Sequence, residues 1–172
     1  AVADAPTLDL TDATGLEDQA IALDIQSALT DTDGSETLSV TIGNIPEGAV
    51  LTLADGTVIP VTGGTVELTP DQLQGLSLTP PADFSGEIAL EVTATSTDGT
   101  DTATTSGTLN IGVTAVADAP TLDLTDATGL EDQAIALNID AALTDAGETL
   151  SVSISNIPEG AVLTLADGTV IP

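Results

Sequence analysis

The chain has 172 residues, 28 of them acidic and none Lys, Arg or His, for a formal charge of −28. With no basic side chain the acids have no side-chain partner for a salt bridge, and nucleic acid and anionic membrane are excluded as direct partners. Cysteine is absent too, so disulfides and thiolate metal sites are excluded, and the usual acid, base and nucleophile side chains His, Cys, Lys and Tyr are all missing.

Such an excess of one charge ordinarily goes with disorder, yet 41% of the residues are apolar and they alternate along short runs, as strands do. Phe84 is the single aromatic residue, so the core must be built from Val, Leu, Ile and Ala. No apolar run approaches the length of a membrane helix, and no signal peptide is visible. The expectation is a folded all-β protein without membrane insertion.

In chain order, Thr7 to Leu10 reads as the first strand, followed by an Asp-rich loop through Gly15, Glu17 and Asp18. Ile21, Leu23 and Ile25 then face one way and Ala22 and Asp24 the other, a strand with one buried face. Leu38, Val40 and Ile42 form the third strand, turned by Pro46-Glu47-Gly48. Leu51 and Leu53 lead into Asp55-Gly56, a pair that tolerates positive φ and favours a tight hairpin, so Asp55 reads as a turn former and not a ligand. Gly63-Gly64 makes a second turn before Val66 and Leu68. Leu76 and Leu78 follow as a short strand, and Pro80-Pro81 halts pairing. Ile88, Leu90, Val92 and Ala94 form one inward row, and after the Asp98-Gly99 loop Leu109, Ile111, Val113 and Ala115 form another. About seven strands broken every ten residues by Gly, Pro or Asp-Gly predict a β-sandwich.

Ala115 to Pro120 then rewrites Ala1 to Pro6 letter for letter, and Glu17-Asp18-Gln19 returns as Glu131-Asp132-Gln133. The chain is therefore a tandem array. Residues 1–114 are expected to form one complete repeat and residues 115–172 the first half of a second, as in a window cut from a longer protein. A half repeat lacks the counterparts of Leu76, Leu78, Ile88, Leu90, Leu109 and Ile111, and should expose apolar surface. It is completed either by the rest of a longer chain or by homotypic contact with another molecule.

The acids fall into groups. At the end where the chain enters the first repeat, Asp4, Asp31, Asp33, Glu36, Asp98 and Asp101 should gather. At the opposite end, Glu17 and Asp18, with Asp83 as a further candidate, should face Asp118 and then Asp145 and Glu148; Glu131 repeats the position of Glu17. Two carboxylates about 4 Å apart repel by roughly 4 kcal/mol at an effective dielectric near 20, against a domain stability of about 5–15 kcal/mol. Such clusters need water and distance, or a cation. Oxygen donors without nitrogen or sulfur suit Ca²⁺, the expected cofactor. Asp31 to Glu36 shortens to Asp145 to Glu148 in the second copy, which predicts that the outer acids Asp31, Glu36, Asp145 and Glu148 are essential and Asp33 auxiliary.

In their order and spacing, Glu17-Asp18-Gln19, Asp31-Thr32-Asp33-Gly34, Asp98-Gly99 and Ala117-Asp118-Ala119-Pro120 resemble the calcium motifs of cadherin repeats. With Phe84-Ser85-Gly86 they are similar to the bacterial cadherin-like or Ig-like repeats of giant secreted adhesins of the repeats-in-toxin class. The resemblance covers the first copy and all of the second. It implies a tandem Ig-like or cadherin-like antiparallel β-sandwich, calcium between neighbouring repeats of the same chain, and an extender that holds an adhesive tip away from a bacterial cell surface. This linker departs from the cadherin pattern: Asp118 stands among alanines, and the Asp-Arg-Glu motif before the sixth strand is missing, so one or two ions per joint are expected. Direct binding of a carbohydrate or a neighbouring chain is the alternative function. An enzyme is not expected; a glycosidase with paired carboxylates is the least unsuitable class.

Overall fold

The computed structural model describes residues 2–172, and contacts divide the chain into two units, Ala1–Ala117 and Asp118–Pro172. Among the described residues the secondary structure is strands, apart from one 3-10 turn at Pro70–Leu73.

In the first unit, β1 (Thr7–Thr11) pairs antiparallel with β4 (Asp24–Ala28), placing Leu10 opposite Ile25. The chain continues almost at once as β2 (Ala13–Leu16), which belongs to a different sheet and runs parallel to β11 (Asp101–Thr114). Asp12 makes the change of sheet, its Oδ1 accepting the Asn110 backbone N–H at 2.9 Å. Gly15 therefore lies in a strand, where a loop was expected. A Cβ there would stand 2.4 Å from Ile21 Cγ1, so this glycine makes room for the core and turns nothing.

The larger sheet has the order β2-β11-β10-β5-β8, with β5 at Thr37–Gly43, β8 at Val66–Leu68 and β10 at Gly86–Asp98. Its backbone is the long antiparallel pair β10–β11, in register from Gly86–Val113 to Asp98–Asp101. The second sheet has the order β3-β9-β6-β7, from β3 (Ile21–Ala22), β9 (Ser77–Thr79), β6 (Val50–Thr52) and β7 (Val58–Ile59). Inward residues of both sheets, among them Val40, Ile42, Leu51, Leu78, Leu90 and Ile111, join in one buried aliphatic cluster, and Phe84 packs on its margin. This is the all-β, sandwich-like arrangement of layers that the alternation predicts.

The turns follow local chemistry. Asp55 Oδ1 accepts the Thr57 N–H at 2.9 Å, shaping the β6–β7 hairpin. Bonds from the Thr57 side chain and then its backbone hold the Asp55 carboxyl below its ordinary value. At Pro70–Leu73 the Gln72 side chain returns to the Thr69 N–H at 2.8 Å, a capping contact the sequence reading did not foresee. Gly75 has φ +73°, and a Cβ on it would lie 2.6 Å from Ala54 Cβ. Gly75→Ala is expected to lower stability by about 1–3 kcal/mol through this backbone conformation and contact; an unchanged urea midpoint would contradict the geometry.

The second unit repeats pieces of the first. β12 (Thr121–Thr125) pairs with β13 (Asn138–Ala142) in the register of β1 and β4, Leu124 opposite Ile139. β14 (Leu163–Thr164) and β15 (Val170–Ile171) repeat the β6–β7 hairpin. The stretch matching β5 carries no strand, and Leu150, Val152 and Ile154 are exposed there. In the first unit this stretch pairs with β10 and β8 and packs Val40 and Ile42 into the buried cluster, and residues 118–172 contain no counterpart of β10.

Candidate metal centre

At the entering end of the first unit, side chains hold the backbone of residues 3–6. The Ala3 N–H donates to Asp101 Oδ2 at 2.9 Å, and the Asp4 N–H to Glu36 Oε1 at 2.7 Å. The Asp4 carbonyl accepts from Ser96 Oγ, the Ala5 carbonyl from Thr30 Oγ1 at 3.1 Å, and the Pro6 carbonyl from Thr105 Oγ1 at 2.6 Å. Sequence reasoning found the acids but missed the three hydroxyls. Ser96, fully buried amid alternating Thr, carries no local sign of its role.

The remaining acids of this end do different work. Asp31 Oδ1 accepts the Asp33 N–H at 2.9 Å and Asp33 Oδ1 the Ser35 N–H at 2.8 Å, two successive Asx turns. Ser35, chiefly through its side chain and then its backbone, holds the exposed Asp33 carboxyl below its ordinary value. Asp98 faces Asp101 across the last register pair of β10 and β11, and the Asp4 side chain is exposed.

At the opposite end, where β11 leaves, the Glu17 N–H donates to the Thr114 carbonyl at 3.0 Å and Glu17 Oε1 accepts the Val116 N–H at 2.6 Å. Asp18 and Asp83 both adopt left-handed backbone conformations, with φ of 58° and 55°. Asp18 Oδ1 accepts the Asp83 N–H at 3.2 Å, and the two residues each place a carboxylate oxygen within 4.8 Å of the other. These exposed acids could take part in holding a metal ion. Their left-handed geometry is one that Asp tolerates better than most residues.

Two atoms separate these acids from ordinary loop carboxylates. Glu17 is 3% exposed and Glu36 7%, and the second oxygen of each, Oε2, is buried with no hydrogen-bond partner. Leaving such a group unsatisfied costs about 1–3 kcal/mol, and more when it is charged. A metal cation is one group that can satisfy a carboxylate oxygen where no N–H or O–H reaches it.

In the second unit, Glu148 Oε1 accepts the Asp118 N–H at 2.6 Å, repeating Glu36 and Asp4, and Thr144 Oγ1 donates to the Ala119 carbonyl at 3.4 Å, repeating Thr30 and Ala5. Asp145 is buried, and its Oδ1 accepts the Gly147 N–H at 2.8 Å. The shorter loop lacks a counterpart of Asp33, and Glu148 and Asp145 each accept a backbone N–H, as Glu36 and Asp31 do. Glu131 is exposed, since residues 118–172 hold no counterparts of Thr114 and Val116 to meet it. Comparison with known family models and with curated proteins finds no match to this chain.

Proposed function

We propose that the chain is a calcium-stiffened structural extender: consecutive Ig-like or cadherin-like repeats of a long adhesin on a bacterial cell surface, holding an adhesive tip away from the cell. The observation that carries this reading is the pair of buried, unpartnered oxygens on Glu17 and Glu36 in a chain that has no Lys, Arg or His to neutralise them. Asp18 and Asp83 are the proposed ligands of the first unit at the end where β11 leaves it, and Asp118 is a proposed ligand of the segment that opens the second unit. Asp4, Asp31, Asp33, Glu36, Asp98 and Asp101 are the proposed ligands at the entering end of the first unit, and Asp145 and Glu148 those of the second unit.

Extracellular modules bind calcium at about 0.1–1 mM, so about 1 mM Ca²⁺ adds roughly 1.4 kcal/mol per site at the tighter end of that range. Several such sites make a sizeable contribution to a small aliphatic core. Cytosolic calcium is too low to fill them, which favours an extracellular location. The absence of Lys and Arg also leaves trypsin nothing to cut, an advantage outside the cell.

Small-angle scattering on two complete repeats, with calcium and with excess chelator, tests the reading. The expected result is an extended profile in calcium that becomes flexible or expanded on chelation. An unchanged profile would overturn the calcium-stiffened reading.

A further inference from the structure

We infer that Glu17 and Glu36 each divide their carboxylate between a backbone amide and a bound divalent cation, so that filling the cation site fastens the chain segment that carries the amide. The inference rests on the calcium reading and adds to it the means by which an ion acts on the polypeptide. The only two buried side-chain oxygens without a partner among the described residues belong to these two glutamates. Each has its other oxygen on an N–H of one of the two Ala-Val-Ala-Asp-Ala-Pro segments: Val116 at 2.6 Å for Glu17, and Asp4 at 2.7 Å for Glu36.

The sharing has a physical consequence. With Oε1 fixed by the amide and the side chain enclosed, Oε2 is presented in one place without further loss of rotamer freedom, which favours ion binding. Conversely, an ion on Oε2 holds the carboxylate in position to accept the amide. The two events are linked, and each must strengthen the other by the same factor. Asp in place of either Glu would be one methylene short of joining both partners. Glu148 retains the amide half of this arrangement on Asp118.

Amide hydrogen exchange of the whole chain, followed residue by residue by NMR, tests the inference. After a calcium titration has given the binding midpoint, exchange is compared in chelator and at about ten times that concentration. If opening of the segment releases the ion, the Asp4 and Val116 amides should exchange about tenfold more slowly in calcium. The Thr57 amide, held by Asp55 in the same kind of bond away from these clusters, should not change. Glu36→Gln keeps an acceptor for the Asp4 amide and should abolish the calcium response there while Val116 still responds; Glu17→Gln should do the reverse. Protection of the Leu78 amide reports that each variant is folded. Calcium binding with unchanged Asp4 and Val116 exchange, or a response that survives both Gln variants, would overturn the coupling and leave the calcium reading standing. Absence of any calcium binding would overturn both.

Discussion

In excess chelator, Glu36→Gln is expected to raise the stability of the first unit by about 1–2 kcal/mol, and added calcium should then stabilise the variant less than the parent. A buried carboxylate with one oxygen unsatisfied opposes folding, because water solvates that oxygen fully only in the unfolded chain. Glutamine keeps an oxygen for the Asp4 amide at nearly the same place and removes the charge, along with its repulsion from the acids at that end. Urea unfolding followed by circular dichroism, with and without calcium, gives both numbers. A lower midpoint for the variant in chelator, or equal stabilisation of variant and parent by calcium, would contradict this expectation. Stabilising substitutions that weaken a function are the expected signature of a site held ready for a ligand.

Leu78→Ala should have the largest effect of any single change considered, a loss of about 2–5 kcal/mol. Leu78 is fully buried, lies opposite Ile21 on one side and Leu51 on the other, and so joins β3, β9 and β6. Against a total stability of about 5–15 kcal/mol, this is a large fraction. The comparison is Leu122→Ala in the second unit, where the side chain is 57% exposed and the expected change is within about 0.5 kcal/mol. Equal shifts for the two variants would contradict the packing of the smaller sheet.

These residues also show what was legible in advance. The Asp55-Gly56 hairpin and the Gly63-Gly64 turn were readable because a few neighbouring atoms decide them, with φ of 87°, 62° and 73° at the three glycines. The inward rows of β5, β10 and β11 are readable because alternation survives whichever strands become neighbours, except that the β11 row ends at Val113: Ala115 lies past the strand and is exposed. Gly15 looks like a loop residue in the sequence because its reason for being glycine is Ile21, six residues away and close to it only after folding. Leu150, Val152 and Ile154 make the same point in reverse: they alternate as Leu38, Val40 and Ile42 do and still form no strand, because a strand is completed by its partner.

The acids were legible as a group and not one by one. The strand connectivity expected of a sandwich places Glu36 and Asp101 at one end and Glu17 and Asp18 at the other. Which of them would be buried, and which would turn to an amide, depends on where the Ala-Asp-Ala-Pro segments come to rest. The hydroxyls of Ser96, Thr30 and Thr105 that grip the first of those segments look in the sequence like the other Ser and Thr around them.

The parallel pairing of β2 with β11 gives the first unit a mechanical character. The chain comes in ahead of β2, and β11 carries it out, so tension applied through the two ends draws these neighbouring strands in opposite directions along their common axis. The register from Ala13–Ile111 to Leu16–Thr114 is then loaded in shear, with its hydrogen bonds sharing the strain together. A hairpin pulled from its open end would instead unzip one bond at a time. Glu17, one residue past β2 and bonded to both Thr114 and Val116, extends that seam beyond the last strand residue. A unit wired in this way resists extension along the common axis of β2 and β11.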